Sequence, residues 1–207
     1  MATFATNPET ALSNAAAGLS APVTEDALKP DEAPTMIFHH EIEAALEEAS
    51  VGSIYERRLS DRTPDRSALT GAENVEFAIR WSCNCDFDLV VRPKGGAPIS
   101  FRQLQTAEGR LFKDFTSSDA LNNGWETVAM SGPIDLAQTL VATNLFRGPG
   151  HAEVELRVAI GAETWGWRFA FAGQADGGKG FATTLARAAA ANTAWNVPDI
   201  AALLEGS

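Results

Sequence analysis

Between Val75 and Phe171, apolar residues recur at every second position in short runs. That is the period of strands with one face buried. Val75, Phe77, Ile79 and Trp81 alternate with polar or small residues, and Phe87, Leu89 and Val91 follow after a break. Ile99–Phe101, Leu111–Thr116, Trp125–Met130 and Thr139–Phe146 read as further short strands. The last two are the clearest. Val154, Leu156, Val158 and Ile160 share one parity, as do Trp165, Trp167, Phe169 and Phe171, with Gly161-Ala162 between them as a tight hairpin. About eight short strands punctuated by Gly, Pro and Asn predict a mainly β fold, an antiparallel, jelly-roll-like β-sandwich over residues 72–172. Enough aromatics are available to fill the space between two sheets.

The flanks carry other patterns. Residues 1–35 are rich in Ala, Ser, Thr and Pro without a sustained period, and read as a flexible arm. Residues 36–70 hold a short amphipathic helix, with Phe38, Ile42, Leu46 and Ala49 at helical spacing, and then a charged connector. Helical spacing returns at Phe181, Leu185 and Ala188. Pro198 can start a last turn with Ile200, Leu203 and Leu204, so residues 178–207 form a C-terminal helical segment. It packs on the sandwich or on a neighbouring subunit.

Composition narrows the function classes. A net charge of −11 over 207 residues repels phosphate backbones and anionic lipid surfaces, so nucleic acid is not an expected partner. No apolar stretch approaches the roughly 18 residues of a membrane-spanning helix. The N-terminus lacks the basic start and apolar run of a secretory leader, so the expected location is cytoplasmic.

The stretch Arg80-Trp81, then Asp86-Phe87-Asp88-Leu89-Val90-Val91, then Pro93 and Gly95, resembles bacterial YfaP-like domains. These are sandwich domains of uncharacterised function. Gly109, Leu111, Asp114, Gly124 and Glu126 sit where that pattern also has Gly, Leu, Asp and Gly/Glu. A looser resemblance is to tellurite-resistance TerD domains, sandwiches whose Trp and Asp-Phe-Asp-Leu-Asp run helps to bind calcium. Here Val90 stands in place of that run's last Asp, and Ser82 in place of an Asp after the Trp.

Candidate chemistry is sparse. Asp86 and Asp88 share one strand face, and with Asp114 or Asp119 they can offer oxygens to a calcium ion. The alternative is that both carboxylates accept hydrogen bonds at a sheet corner. Cys83-Asn84-Cys85 has one intervening residue, short of the usual zinc spacing, and His39 and His40 diverge on their helix, so two free thiols are expected. As strand neighbours on one face, the two cysteines are not expected to form a disulfide. Trp165 and Trp167 can face a sugar, or belong to the core with Phe169 and Phe171. Gly177-Gly178-Lys179-Gly180 lacks the frame of a phosphate loop, and no nucleophile elbow or zinc-protease motif is present. No enzyme is therefore expected. The favoured expectation is a non-catalytic accessory or structural subunit that docks on a protein partner or sister subunit through Phe38, Ile42 and Leu46. The alternative is a sandwich module that binds calcium or carbohydrate.

Overall fold

The computed structural model of the chain describes residues 54–55, 57–116, 124–190 and 192–206. The chain divides into Met1–Gly52 and Ser53–Ser207, and every described residue belongs to the second unit. The expected arm and the helix of Phe38, Ile42 and Leu46 lie outside the described residues, as does Asp119.

The fold is mainly β. Among the described residues, eight antiparallel strands form two sheets: β1 (Val75–Trp81), β2 (Asp86–Arg92), β3 (Gly109–Leu111), β4 (Gly124–Met130), β5 (Leu140–Arg147), β6 (Ala152–Ile160), β7 (Glu163–Phe171) and β8 (Trp195–Asn196). One sheet runs β3-β4-β1-β6-β7 and the other β2-β5-β8. The alternating parity of β1, β6 and β7 drives the arrangement. Phe77, Ile79 and Trp81 meet Phe87, Leu89 and Val91 of β2, together with Leu156, Val158 and Trp165, in one core shared by both sheets. Side chains of opposite parity point away from it, as the pleat requires. Trp165 is buried and Trp167 packs against the core, so the tryptophan stripe of β7 belongs to the interior.

Trp81 anchors one end. Its ring lies 5.5 Å from that of Phe87, and its indole N–H donates to the Cys85 carbonyl at 3.1 Å. Gly124 stands opposite Trp81 in the β1–β4 register, and a Cβ there would lie 2.2 Å from the indole. Only glycine lets the ring lie against that strand.

Four expectations change. Ile99 makes an isolated bridge to Val91 instead of a full ladder, and the strand expected over Leu111–Thr116 ends at Leu111. The eighth strand is β8, a two-residue pairing from the C-terminal segment that was expected to be helical. Cys83 and Cys85 are disulfide-bonded, with Cα atoms 5.2 Å apart. The expectation of free thiols treated them as strand neighbours. Instead they occupy the turn between β1 and β2, where Cys85 N–H donates to Cys83 O at 2.7 Å, and a turn brings the two side chains to one point.

The C-terminal segment packs in two places: its first part covers the outer face of the smaller sheet, and Ile200 and Leu204 join the main core. Helices α1 (Phe181–Arg187) and α2 (Ile200–Glu205) frame β8. Phe181, Leu185 and Trp195 cover Val90, Leu140 and Ala142 in a second, smaller core. Asp176 ties this segment down. Its carboxylate accepts from Asn144, Asn192, the Trp195 indole and the Gly178 and Gly180 backbone N–H groups, at 2.9–3.1 Å. The glycine-rich loop thus spends these two N–H groups on a protein carboxylate, not on a phosphate.

Replacing Asp176 with Ala leaves these donors without their partner. An expected loss of about 2 kcal/mol follows from removing charge-assisted hydrogen bonds, measured by urea denaturation. Alkylation of the unfolded chain without reductant is expected to label neither cysteine; label on either would contradict the disulfide.

Candidate functional site

Strand β2 ends its sheet, so one of its edges lacks a strand partner within that sheet. Backbone N–H groups on such an edge need another acceptor when they are buried. Glu126 supplies one. It projects from β4 of the opposite sheet, and its Oε2 accepts the Leu89 N–H at 2.6 Å while Oε1 accepts the Phe115 N–H at 3.2 Å. Glu126 is fully buried. It therefore joins β2, β4 and the connection after β3 at one point.

Two further carboxylates meet it there. Asp88, Asp114 and Glu126 each bring an oxygen within 4.8 Å of the others. Asp88 faces away from the main core, by the same parity that turns Phe87 and Leu89 inward. Asp114 is half-buried in the connection that follows β3. Asp88 is 3% exposed, and its Oδ2 is buried with no hydrogen-bond partner. A buried carboxylate oxygen in this state is costly unless a proton or a cation neutralises it.

The electrostatics follow from this crowding. Burial pushes the Asp88 carboxyl up to about 8, and the like charges of Asp86, Asp114 and Asp176 add to the shift, offset in part by Arg102. Burial also raises Glu126 well above the carboxylate range, with Asp88 as the next cause, against the two N–H groups that favour its ionised form. Asp86, expected from the sequence as a second ligand, is buried one position before Phe87. Its Oδ2 lies 3.7 Å from the Arg147 guanidinium, and it acts on the cluster through its charge.

Of the residues expected to hold a cation, the structure brings together Asp88 and Asp114. It adds Glu126, which sequence reasoning noted only as part of a family pattern. Its signal was parity: Glu126 shares the inward positions of β4 with Val128 and Met130, where a carboxylate is out of place. Cys83 and Cys85, being bonded to each other, offer no thiolate to zinc. His39 and His40 lie outside the described residues, and His151 sits in the β5–β6 turn with φ 66°.

What the cluster can do is limited and specific. Three carboxylates form an all-oxygen donor set suited to a hard divalent cation. No nucleophile or imidazole belongs to the group, so it has no partner for acyl transfer. No protein-family model matches the chain, and no curated protein or solved structure matches it either.

The raised Asp88 carboxyl makes stability depend on pH. Between its unfolded value near 3.8 and its folded value of about 8, the folded state keeps a proton that the unfolded chain releases. Stability of the cation-free protein is therefore expected to fall as pH rises across that window and to level off above it. Urea midpoints in chelator from about pH 5 to about pH 9 check this, and Asp88→Asn is expected to flatten the slope.

Proposed function

We propose that this chain is a non-catalytic, calcium-binding β-sandwich module, with Asp88, Asp114 and Glu126 as its carboxylate ligands. One observation carries the proposal: a buried Asp88 oxygen without a hydrogen-bond partner inside a cluster of three carboxylates. Calcium suits the set better than zinc, because no His or Cys joins the group. It suits it better than magnesium, because calcium accepts irregular, partly bidentate carboxylate geometry. Main-chain carbonyls and water complete such a shell.

Binding exchanges protons for a cation. It also links β2, β4 and the connection after β3, three segments that otherwise share only Glu126 as a common acceptor. The expected outcome is a stiffer edge of the sandwich, as suits an accessory or structural subunit. Contact with a protein partner or sister subunit is assigned by the sequence to Phe38, Ile42 and Leu46. Among the described residues, no helix is long and apolar enough to cross a membrane. The Cys83–Cys85 disulfide favours an oxidising compartment over the cytoplasmic one expected from the N-terminal sequence, since cytosolic thiols are kept reduced. Millimolar calcium outside the cytosol also suits a site with few protein ligands.

Calorimetric titration of the chelator-treated full chain with calcium chloride tests the proposal. Heat of binding and a higher melting temperature are expected, with the heat varying with the buffer's ionisation enthalpy because protons leave. Asp88→Asn and Glu126→Gln are each expected to weaken binding at least about tenfold. Neither heat nor a melting shift at millimolar calcium would sink the proposal, and a magnesium response equal to that of calcium would remove the choice of ion.

A further inference from the structure

The outer face of the five-stranded sheet is divided. One part is covered by the segment that precedes the first strand. Ile54 packs on Ala78 and Ala159, Leu59 lies over Gly166, and Ser60 N–H donates to Thr164 O at 2.7 Å. Arg157 secures this cover by donating to the carbonyls of Ile54 and Tyr55 at 3.0 and 2.9 Å.

The other part holds a groove of about 430 Å³, walled by Arg80, Ser82, Trp125, Glu153, Glu155 and Arg168. That volume falls within the roughly 300–1,000 Å³ of small-molecule sites. Its floor is a row laid straight across four strands. Trp125 stands opposite Arg80, Arg80 opposite Glu155, and Glu155 opposite Arg168. All four belong to the outward parity of their strands, so the row lies on the face away from the core.

The row is held in place. Glu155 Oε2 accepts from Arg80 at 3.1 Å and lies 4.0 Å from Arg168, while Oε1 accepts from Arg157 at 2.7 Å. Arg80 is braced from the other side by the Tyr55 ring, 4.4 Å away. Burial alone would raise the Glu155 carboxyl. Its hydrogen bonds and charge contacts with Arg157 and then Arg80 outweigh that and keep it below the ordinary range, so it stays an acceptor. Arg168 has a side chain 78% exposed and only a long contact to Glu155, which leaves most of its donors facing the groove. Trp125 is half-buried, steadied by the Phe115 ring at 5.7 Å.

This combination selects a ligand class. The groove walls carry two guanidiniums and two carboxylates, so they are balanced in charge and favour neither an anion nor a cation. They offer fixed donors and fixed acceptors side by side, next to an indole. A pyranose matches that pattern, because each hydroxyl both donates and accepts while the ring's C–H face covers an aromatic surface. An extended peptide matches it less well. Three of the four strands beneath the groove, β4, β1 and β6, have a neighbour on both sides and only β7 lies at the sheet's edge, so most of the groove lends a peptide backbone no free edge.

We propose that this groove binds a neutral saccharide, its ring stacked on Trp125 and its hydroxyls held by Arg80, Glu155 and Arg168. The site is separate from the cation cluster: Trp125 and Glu126 are neighbours in β4 but belong to opposite faces, with Phe115 touching both. It is also distinct from Trp165 and Trp167, which the core consumes.

Ligand-observed NMR and calorimetry on the full chain test it, with maltotriose, cellotriose and the N-acetylglucosamine trimer as neutral probes and a galacturonate trimer as the acidic comparison. Each titration is run in chelator and again in calcium, so that failure at one site does not bear on the other. At least one neutral probe is expected to bind at millimolar concentration or better. Trp125→Ala and Arg168→Ala are each expected to weaken it about tenfold, and Trp125→Phe to retain most of it. Arg168→Ala, at an exposed position, keeps the test valid if loss of the Trp125–Phe115 contact loosens the fold. Three results would overturn the proposal: no neutral probe binding up to about 10 mM, binding of the acidic trimer alone, or undiminished binding in both alanine variants.

Discussion

The Leu89 N–H bond to Glu126 ties one sheet to the other where a strand edge would otherwise end in unpaired backbone. A neutral side chain could satisfy one such donor. Glu126 satisfies two, one from each of two segments, with no hydrogen of its own to place when ionised. The requirement has a cost, since a carboxylate there is fully out of water. Asp88 and Asp114 raise that cost further. A native protein that concentrates like charge at a buried junction meets it by keeping protons or by accepting a counter-ion, and the chemistry of the edge follows from that choice.

The same economy of partners shapes the outer face of the smaller sheet, the face that also carries Asp88. With three strands it cannot bury both faces alone, and its outward residues Val90, Leu140 and Ala142 are apolar. The C-terminal segment covers them with Phe181, Leu185 and Trp195, and Asp176 fixes the cover by gathering donors from Asn144 of β5 and from the segment itself. The segment is thus a layer of the fold. Asn144 links the two roles: its side chain also donates to the Ala194 carbonyl at 3.0 Å, just before β8 begins.

Much of this architecture was legible in the sequence, and the exceptions have physical reasons. β1, β6 and β7 alternate over seven to nine residues, long enough for a period of two to be unambiguous. β8 spans two residues, Trp195 and Asn196, and no period exists in so short a run. Ile99 looked like a strand start because it is apolar and follows a turn, yet only an isolated bridge forms there. Cys83 and Cys85 invited a strand reading because they continue the spacing of Phe77, Ile79 and Trp81, whereas the chain reverses at Ser82–Cys85. For the acidic site, Asp88 was visible through its alternation with Phe87 and Leu89. Asp114 was legible only as one of two possible partners and Glu126 only as a carboxylate at an inward parity; that both meet Asp88 depends on packing between segments distant in sequence, which composition and spacing cannot display. The groove row was equally hidden, because Trp125, Arg80, Glu155 and Arg168 are unremarkable in their own strands and become neighbours only by register.

The corner at Cys83–Cys85 then takes on a different importance. It is one of two equally short passages between the sheets, with four residues between the last of β1 and the first of β2, as between β5 and β6. A disulfide spanning so few residues removes little freedom from the unfolded chain, because that contribution grows with the size of the closed loop. Its effect is local and geometric. By pinning the corner it fixes where β2 begins, just ahead of the bulge between Asp86 and Phe87 that sets the strand's alignment with β5. A slip of one residue would turn Asp88 inward and Leu89 outward. The covalent bond at the turn and the carboxylates further along the strand are thus parts of one alignment, and the chemistry available at the edge is decided at the corner.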